Sequence, residues 1–360
     1  MCIRDRGIFI NQKVEFLNTE LYINPTNSWA GRVLNAFAEP IDNKGPLDTG
    51  NETISIKRTA PNAMQRQMVE GKIDLGIKSL NIFTSCCRGQ RIGIFAGSGV
   101  GKSVLMSMIT KYTNLDIVVI GLIGERGREV QEFLKNTLGE KGSEKAIVIV
   151  ATSAESALSK KQAAYLTVTV AEFFASLGNN VLCMIDSVTR FAMAQREIGL
   201  AVGEPPTTKG YTPSVFVEMA SLLERTGPTV NVGSITAIFT VLVEGGDDET
   251  EPIADTTRGI LDGHIVLERR LAQEGLFPAV NVLKSVSRTM PGCNTDHENE
   301  LVKKARKYIS TYTNMEELIK IGAYKSGSNP EVDEAIFYYK LLFEFLKQAP
   351  NEQSTLELGY

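Results

Sequence analysis

Residues 95–103 read FAGSGVGKS. A glycine-rich turn ending in Gly-Lys-Ser, between the strand-like RIGIF and the helix-like GKSVLMSMITKY, can wrap its N–H groups round a phosphate at a helix N-terminus. In that arrangement Lys102 reaches the β- and γ-phosphates and Ser103 holds Mg2+. Ala96 stands where the usual pattern has its first glycine, and a methyl fits there if φ is negative. Gly97, Gly99 and Gly101 remain for the close approach. The alternative is an ordinary glycine-rich turn, and the strand–loop–helix context weighs against it. Three further stretches carry acids or bases at strand ends. VLCMIDSVTR (181–190) ends an apolar run in Asp186, which is placed either to hold the water shell of Mg2+ or to cap a helix. GLIGERGREVQEF (121–133) puts Glu125 directly after an apolar strand, where a carboxylate can align and polarise an attacking water. Its neighbours Arg126, Arg128 and Glu129 equally suit a solvated charge cluster. GLFPAVNVLKSVSR (275–288) ends in Arg288, far from the glycine-rich loop in sequence. By itself Arg288 is a surface arginine; in a ring of subunits it could stabilise charge at a neighbour's γ-phosphate. Phe277 either fills the core or stacks on an adenine.

The elements around these residues set their positions. From about residue 90 to 245, apolar runs alternate with helical segments. RIGIF, DIVVIGLIG, KAIVIVA, VLCMID and GSITAIFTVLV read as buried strands. Helices are expected from Lys102, from about Gly127, over about 157–177, and from the end of VLCMID to about Ile198. Buried strands alternating with helices predict a mainly parallel sheet covered on both faces. Residues 7–56 read as short strands and turns, with VEFLNTELYI, ETISIKR and the punctuation PTN and DNKGP. After Pro291, ENELVKKARKYISTY, MEELIKIGAY and PEVDEAIFYYKLLFEFLKQA carry apolar residues at helical spacing. The expected domains are 1–58, 59–290 and 291–360. No internal repeat or low-complexity segment is evident.

Composition narrows the classes. The chain has 360 residues, 43% hydrophobic, with a formal net charge of −4. A nucleic-acid protein would usually carry a basic face, so no nucleic-acid partner is expected. His264 and His297 are too few and too far apart for a zinc site. Cys2, Cys86, Cys87, Cys183 and Cys293 form no C-x-x-C and read as reduced thiols, with Cys86 and Cys87 both buried. No run approaches the ~20 apolar residues needed to cross a bilayer. MCIRDRG is too charged for a signal peptide. We expect residues 1–6 not to be native and the true N-terminus to lie upstream.

Taken together, FAGSGVGKS, VVIGLIGERGREVQEF, MIDSVTRFAMAQREIGLAVGEPPTTKGYTPSVF, EGGDDETEPIADTTRGILDGHIVLERRLA and PAVNVLKSVSR resemble the rotary-ATPase type of RecA-like ATPase, in its protein-export branch. The match runs from about residue 28 to the C-terminus. It is strongest to the flagellum-specific export ATPases, with the ATPases of type III secretion injectisomes as near relatives; the stretch GAYKSGSNPEVDEAI favours the former. This branch commonly has alanine at the position of Ala96.

The resemblance implies a RecA-like P-loop core, a C-terminal helical domain, and in residues 1–58 the end of an N-terminal β-barrel with its linker. It implies hydrolysis of ATP with Mg2+ in a homohexamer. Gly97, Ser98, Gly99, Val100, Gly101, Lys102 and Ser103 would hold the triphosphate, Glu125 would be the catalytic carboxylate and Asp186 the Walker B acid. Arg126 and Arg190 match arginines near the γ-phosphate, Arg288 matches the finger given in trans, and Phe277 the aromatic on the adenine. Asp247 and Asp248 lie where relatives face a central stalk protein. Stator proteins, an export gate at the inner membrane, export substrates and their chaperones are the further implied partners, and the cytoplasmic face of that membrane the implied location. Two other readings are a ring subunit that binds nucleotide without hydrolysing it, which Glu125 argues against, and an RNA-translocating ring, which the negative charge argues against.

Overall fold

The computed structural model describes residue 13 and residues 20–230, 232–243 and 251–359. Its centre is one large sheet. The strands are β1 (Val33–Asn35), β2 (Arg91–Ala96), β3 (Ile117–Ile123), β4 (Ala146–Ala151), β5 (Val181–Asp186), β6 (Ser234–Leu242), β7 (Gly263–Leu267) and β8 (Val286–Ser287). Across the sheet they run β8-β7-β2-β6-β5-β3-β4-β1. Every neighbouring pair from β7 to β1 is parallel; β8 is antiparallel to β7. The short segment Gly227–Pro228 folds back antiparallel on the start of β6.

These strands lack polar alternation because both faces are covered. Along β3, Val118, Ile120 and Leu122 enter one core, and Val119 and Ile123 enter the other. Along β5, Leu182 and Met184 face the first core while Val181, Cys183 and Ile185 face the second. A strand buried on both sides must be apolar at every position. The first core takes in helix α1 (Lys102–Tyr112) and leads into the C-terminal helices. The second is closed by α2 (Ala157–Ser176), α3 (Val188–Ala201) and α4 (Pro213–Leu223).

One charged group lies inside this second layer. Arg225 is fully buried; its guanidinium makes two 2.8 Å bonds to the Glu172 carboxylate, and others to the Ile56 carbonyl and the Thr169 hydroxyl. It thus ties α2 to the segment between β1 and β2. A buried pair is a poor source of net stability but costly to break.

Two expectations change. Val33–Asn35, read as part of an N-terminal run of short strands, adds parallel to the edge of the main sheet beside β4. Within this N-terminal run, Tyr22–Ile23 and Ile54–Ser55 form a separate antiparallel pair, and the first part of VEFLNTELYI lies outside the described residues. After Pro291, two of the three expected helical stretches are one helix, α5 (Asp296–Lys320). Its start is a capping box, with Thr295 and Glu298 each accepting from the other's backbone N–H. It passes through Thr-Tyr-Thr-Asn without a break, and Thr313 Oγ1 is satisfied by the Ile309 carbonyl one turn back at 2.8 Å. It packs against α6 (Pro330–Leu346), where Tyr312 and Tyr339 stack with ring centroids 3.7 Å apart.

Replacing Arg225 by alanine leaves the half-buried Glu172 with the longer 3.4 Å contact to Arg58 in place of its main partner. Urea denaturation of Arg225→Ala is expected to show a loss of about 3–5 kcal/mol. A midpoint equal to that of the wild type would mean that this pair does not hold α2 in place.

Candidate functional site

The C-terminal ends of the parallel strands lie along one edge of the sheet, and that edge carries the candidate residues. In the order β2-β6-β5-β3, Lys102 follows β2, Thr240 lies near the end of β6, Asp186 ends β5 and Glu125 follows β3. Ligands in open α/β sheets bind outside this edge.

The loop from Gly97 to Gly101 turns β2 into α1. Gly99 and Gly101 have φ of +76° and +88°, a region that L side chains rarely adopt. Ala96 is instead the buried last residue of β2, outside the positive-φ set, so its methyl is accommodated. Helix α1 has Gly101 at its N-cap with no side-chain cap bond and no acidic residue in its first turn. Its first N–H groups are therefore open to an anion. The Arg269 guanidinium donates to the Ser98 carbonyl at 3.0 Å and steadies the loop from outside.

Lys102 Nζ donates to Asp186 Oδ1 and lies 3.5 Å from Glu125 Oε1. Asp186 is buried and also accepts from Thr240 Oγ1 at 2.7 Å. Asp186 therefore does not cap α3; Ser187 does, accepting from the Arg190 N–H. Burial pushes the Glu125 carboxyl up to about 7, the ammonium of Lys102 opposes this, and the nearby charge of Asp186 adds to the rise. Ser103 is exposed in the first turn of α1. Its hydroxyl and the Asp186 carboxylate are hard oxygen donors of the kind Mg2+ prefers.

The remaining candidates divide. Arg190 is exposed, and its side chain crosses the backbone of Gly124: a Cβ on Gly124 would lie 2.8 Å from Arg190 Cβ. This close approach, with φ of +75° at Gly124, lets the chain leave β3 beside Arg190 and present Glu125. Phe277 is 47% exposed beside Gly101 and lines a cleft of ≈ 490 Å³ with Val104, Met108 and Pro278. The cleft's far wall is Lys347–Pro350, joined to Phe277 by a 2.8 Å bond from the Gln348 N–H to the Phe277 carbonyl. Arg126 points to solvent, its side chain 81% exposed, with Glu129 at 3.8 Å. Arg288 follows β8, which pairs with the first residues of β7; Lys102 follows Ala96, which pairs with the last residue of β7. Arg288 is thus at the opposite edge of the sheet from its own chain's Lys102. There it donates to the Arg258 carbonyl at 3.1 Å. Asp247 and Asp248 lie outside the described residues.

Sequence reasoning missed Thr240, Arg269 and the Gln348 wall. For Thr240 the signal was a hydroxyl in the otherwise apolar end of SITAIFTVL. The other two had no local signal, because their partners lie 171 and 71 residues away in the chain.

A parallel sheet with a glycine-rich loop, a lysine at a helix start and acids at two adjoining strand ends defines a RecA-like P-loop nucleotide-binding protein. Residues 76–287 match the ATP synthase alpha/beta family, nucleotide-binding domain, and residues 294–358 match the T3SS EscN ATPase C-terminal domain. The chain belongs to the ATP synthase alpha/beta family, which bears out the resemblance drawn from its motifs. It is 58% identical to a flagellum-specific ATP synthase of Caulobacter vibrioides, over 98% of this chain and 80% of the relative. It is 54% identical to that of Bacillus subtilis, over 96% of this chain and 78% of the relative. Among solved structures it is similar to the assembled ATPase EscN of the enteropathogenic E. coli type III secretion system. That similarity has a TM-score of 0.93 at 42% identity and covers 98% of this chain and 85% of EscN. No helix among the described residues is long and apolar enough to cross a membrane.

The raised Glu125 makes a pH prediction. A carboxyl above its ordinary value in the fold favours folding when protonated. Its contribution is complete below the ordinary carboxylate range and is lost as pH rises through about 7. Between about pH 5 and about pH 8, urea midpoints of the nucleotide-free wild type are expected to fall relative to Glu125→Gln. Parallel profiles would show that Glu125 titrates normally.

Proposed function

We propose that this protein is a Mg2+-dependent ATPase whose hydrolysis energises type III export of flagellar proteins. The observation that carries the reading is the cluster of Lys102, Asp186 and Glu125 at the mouth of the glycine-rich loop. The names of the relatives from Caulobacter and Bacillus favour the flagellar system over an injectisome, since EscN is less similar to this chain.

In this mechanism Lys102 exchanges its two carboxylate partners for β- and γ-phosphate oxygens. The N–H groups of the loop and of the first turn of α1 complete the phosphate cradle. Ser103 and Asp186 would hold Mg2+, which when bound neutralises charge on the phosphates. Thr240 keeps the Asp186 carboxylate turned to the site. Glu125 stands at the next strand end and aligns water for attack. Its carboxyl near 7 suits a group that takes up a proton at neutral pH. Phe277 and the cleft beside Gly101 take the base. Arg190 lies against Gly124 within the same edge, and Arg126 becomes available to the γ-phosphate only by leaving solvent.

Arg288 completes a site in a neighbouring subunit, because the fold puts it on the edge opposite its own P-loop. A homohexamer supplies such a neighbour at every interface, and the assembled state of EscN supports a ring. EscN has also been solved with its central stalk EscO, which supports a stalk partner for the acidic stretch that holds Asp247 and Asp248. Stator, export gate, substrates and chaperones complete the proposed partners, with no nucleic acid among them, at the cytoplasmic face of the inner membrane. The domain organisation that goes with this reading is a barrel end and linker at 1–58, the ATPase domain at 59–290 and a helical domain at 291–360.

The test is the ATPase rate per subunit against protein concentration. The wild-type rate is expected to climb with concentration. Glu125→Gln is expected to lower kcat about 10²–10⁴-fold with ATP binding retained. Full activity in that variant would remove Glu125 from the mechanism. Arg288→Ala is expected to lose on the order of 10³-fold or more in kcat, again with ATP still bound. Loss of binding together with hydrolysis would instead make Arg288 a structural residue.

A further inference from the structure

Arg288 is held at its edge of the sheet by the end of the helix Pro252–Ile260. Its guanidinium donates to the Arg258 carbonyl at 3.1 Å, and its backbone N–H donates to the Asp262 carbonyl at 2.9 Å. Carbonyls in the last turn of a helix lack intrahelical partners. A cation there satisfies an acceptor and faces the negative end of the helix dipole. The turn after this helix lies close against β8. A Cβ on Gly263 would stand 2.6 Å from the Val286 carbonyl oxygen, so glycine is what permits the approach. Asp262 is itself fixed, because its carboxylate accepts from the Arg91 backbone N–H at 3.0 Å and from Arg91 Nε at 3.1 Å.

The side chain of Arg258 anchors this seat. Its guanidinium carbon lies 4.6 Å from the centroid of the Phe95 ring, within the range of a cation–π contact. Phe95 is 1% exposed and sits in β2, paired with Val241 of β6 on one side and Val266 of β7 on the other. Ala254, one turn earlier in the same helix as Arg258, shares an apolar cluster with Phe95, Val241 and Val243. Phe95 is therefore a fixed platform inside the sheet. By contrast β8, which carries Arg288 at its end, is a two-residue strand paired to β7. The weakly held element takes its position from the strongly held one.

We propose that Arg258 is a positioning residue for Arg288. Anchored on Phe95, it sets where the last turn of its helix offers a carbonyl, and so where Arg288 is presented to a neighbouring subunit. The inference rests on the role in trans proposed above for Arg288. The Arg288 guanidinium gives one nitrogen to the Arg258 carbonyl and keeps its other donors for a phosphate oxygen. A long side chain already seated by one nitrogen loses less freedom when it meets the phosphate. Arg258 touches no nucleotide in this scheme, so its loss weakens the chemical step and leaves ATP binding in place.

The test uses variants of the intact protein, alone and mixed. Arg258→Ala keeps the carbonyl and loses the anchor. It is expected to lower kcat roughly 10²-fold, with ATP affinity within about twofold of the wild type. Arg258→Lys keeps a cation over the ring and is expected to lose less; it carries the same test if the alanine variant does not fold. Arg258→Ala is then mixed in equal amounts with Glu125→Gln and the subunits are allowed to exchange. An Arg258→Ala subunit still offers an intact nucleotide site, and a Glu125→Gln subunit still offers a seated Arg288. The mixture is expected to reach about a quarter of the wild-type rate, since half the subunits carry an intact site and half of those face an intact arginine. Arg288→Ala mixed with Glu125→Gln is the reference. Recovery in the reference but none with Arg258→Ala would overturn the inference alone, because Arg258 would then act through Phe95 on its own P-loop. No recovery in the reference would remove the trans role of Arg288 and the inference with it. An unchanged kcat in Arg258→Ala, or loss of its ATP binding, would also overturn the inference.

Discussion

The ammonium of Lys102 between two carboxylates is the interaction on which the site depends. Asp186 is buried at a strand end, and Glu125 stands at the end of the next strand but one from β6. Two acids so close in a poorly hydrated crevice repel each other. Lys102 offsets that repulsion for Asp186, and Thr240 gives the same carboxylate a second donor. Glu125 has the longer contact to Lys102, and burial keeps its proton on to about pH 7. One cation thus faces two carboxylates in different settings, Asp186 with a second donor in Thr240 and Glu125 with its carboxyl raised by burial.

That arrangement exists only because four strands are parallel and in register. Phe239 pairs with Ile185 and Thr240 with Ile94, so the hydroxyl of β6 falls between Asp186 and the loop after β2. A slip of one residue would turn Thr240 to the other face. The two hydrophobic layers enforce the register, since each strand sends alternate residues into different cores. Stability and chemistry are therefore linked through packing, and the polar residues at the sheet edge inherit their positions from apolar ones inside it.

The same sheet separates Arg288 from the glycine-rich loop of its own chain. Its C-terminal edge carries the phosphate loop, the two acids and Arg190, while Arg288 is bound at the other edge beside β7 and β8. No side-chain rotation spans that separation. In the proposed ring, one subunit's edge would meet its neighbour's opposite edge and bring the two sets of residues together.

The local pattern of the chain was enough to announce the glycine-rich loop, the strands ending in Asp186 and before Glu125, and the alternating α/β order. Those features depend on neighbours within a few residues: glycine's tolerance of positive φ, the anion affinity of a helix start, and apolar runs that only a doubly covered strand requires. Sequence could name Arg288 and Phe277 only by likeness, since their surroundings come from distant segments. Tertiary structure alone decided that Val33–Asn35 extends the sheet, that Thr240 bonds Asp186, and that Gln348 walls the cleft beside Phe277. In each case the partners lie 54 or more residues apart in the chain. Their meeting was set by strand order and register, which follow from packing the whole sheet rather than from any local pattern of residues.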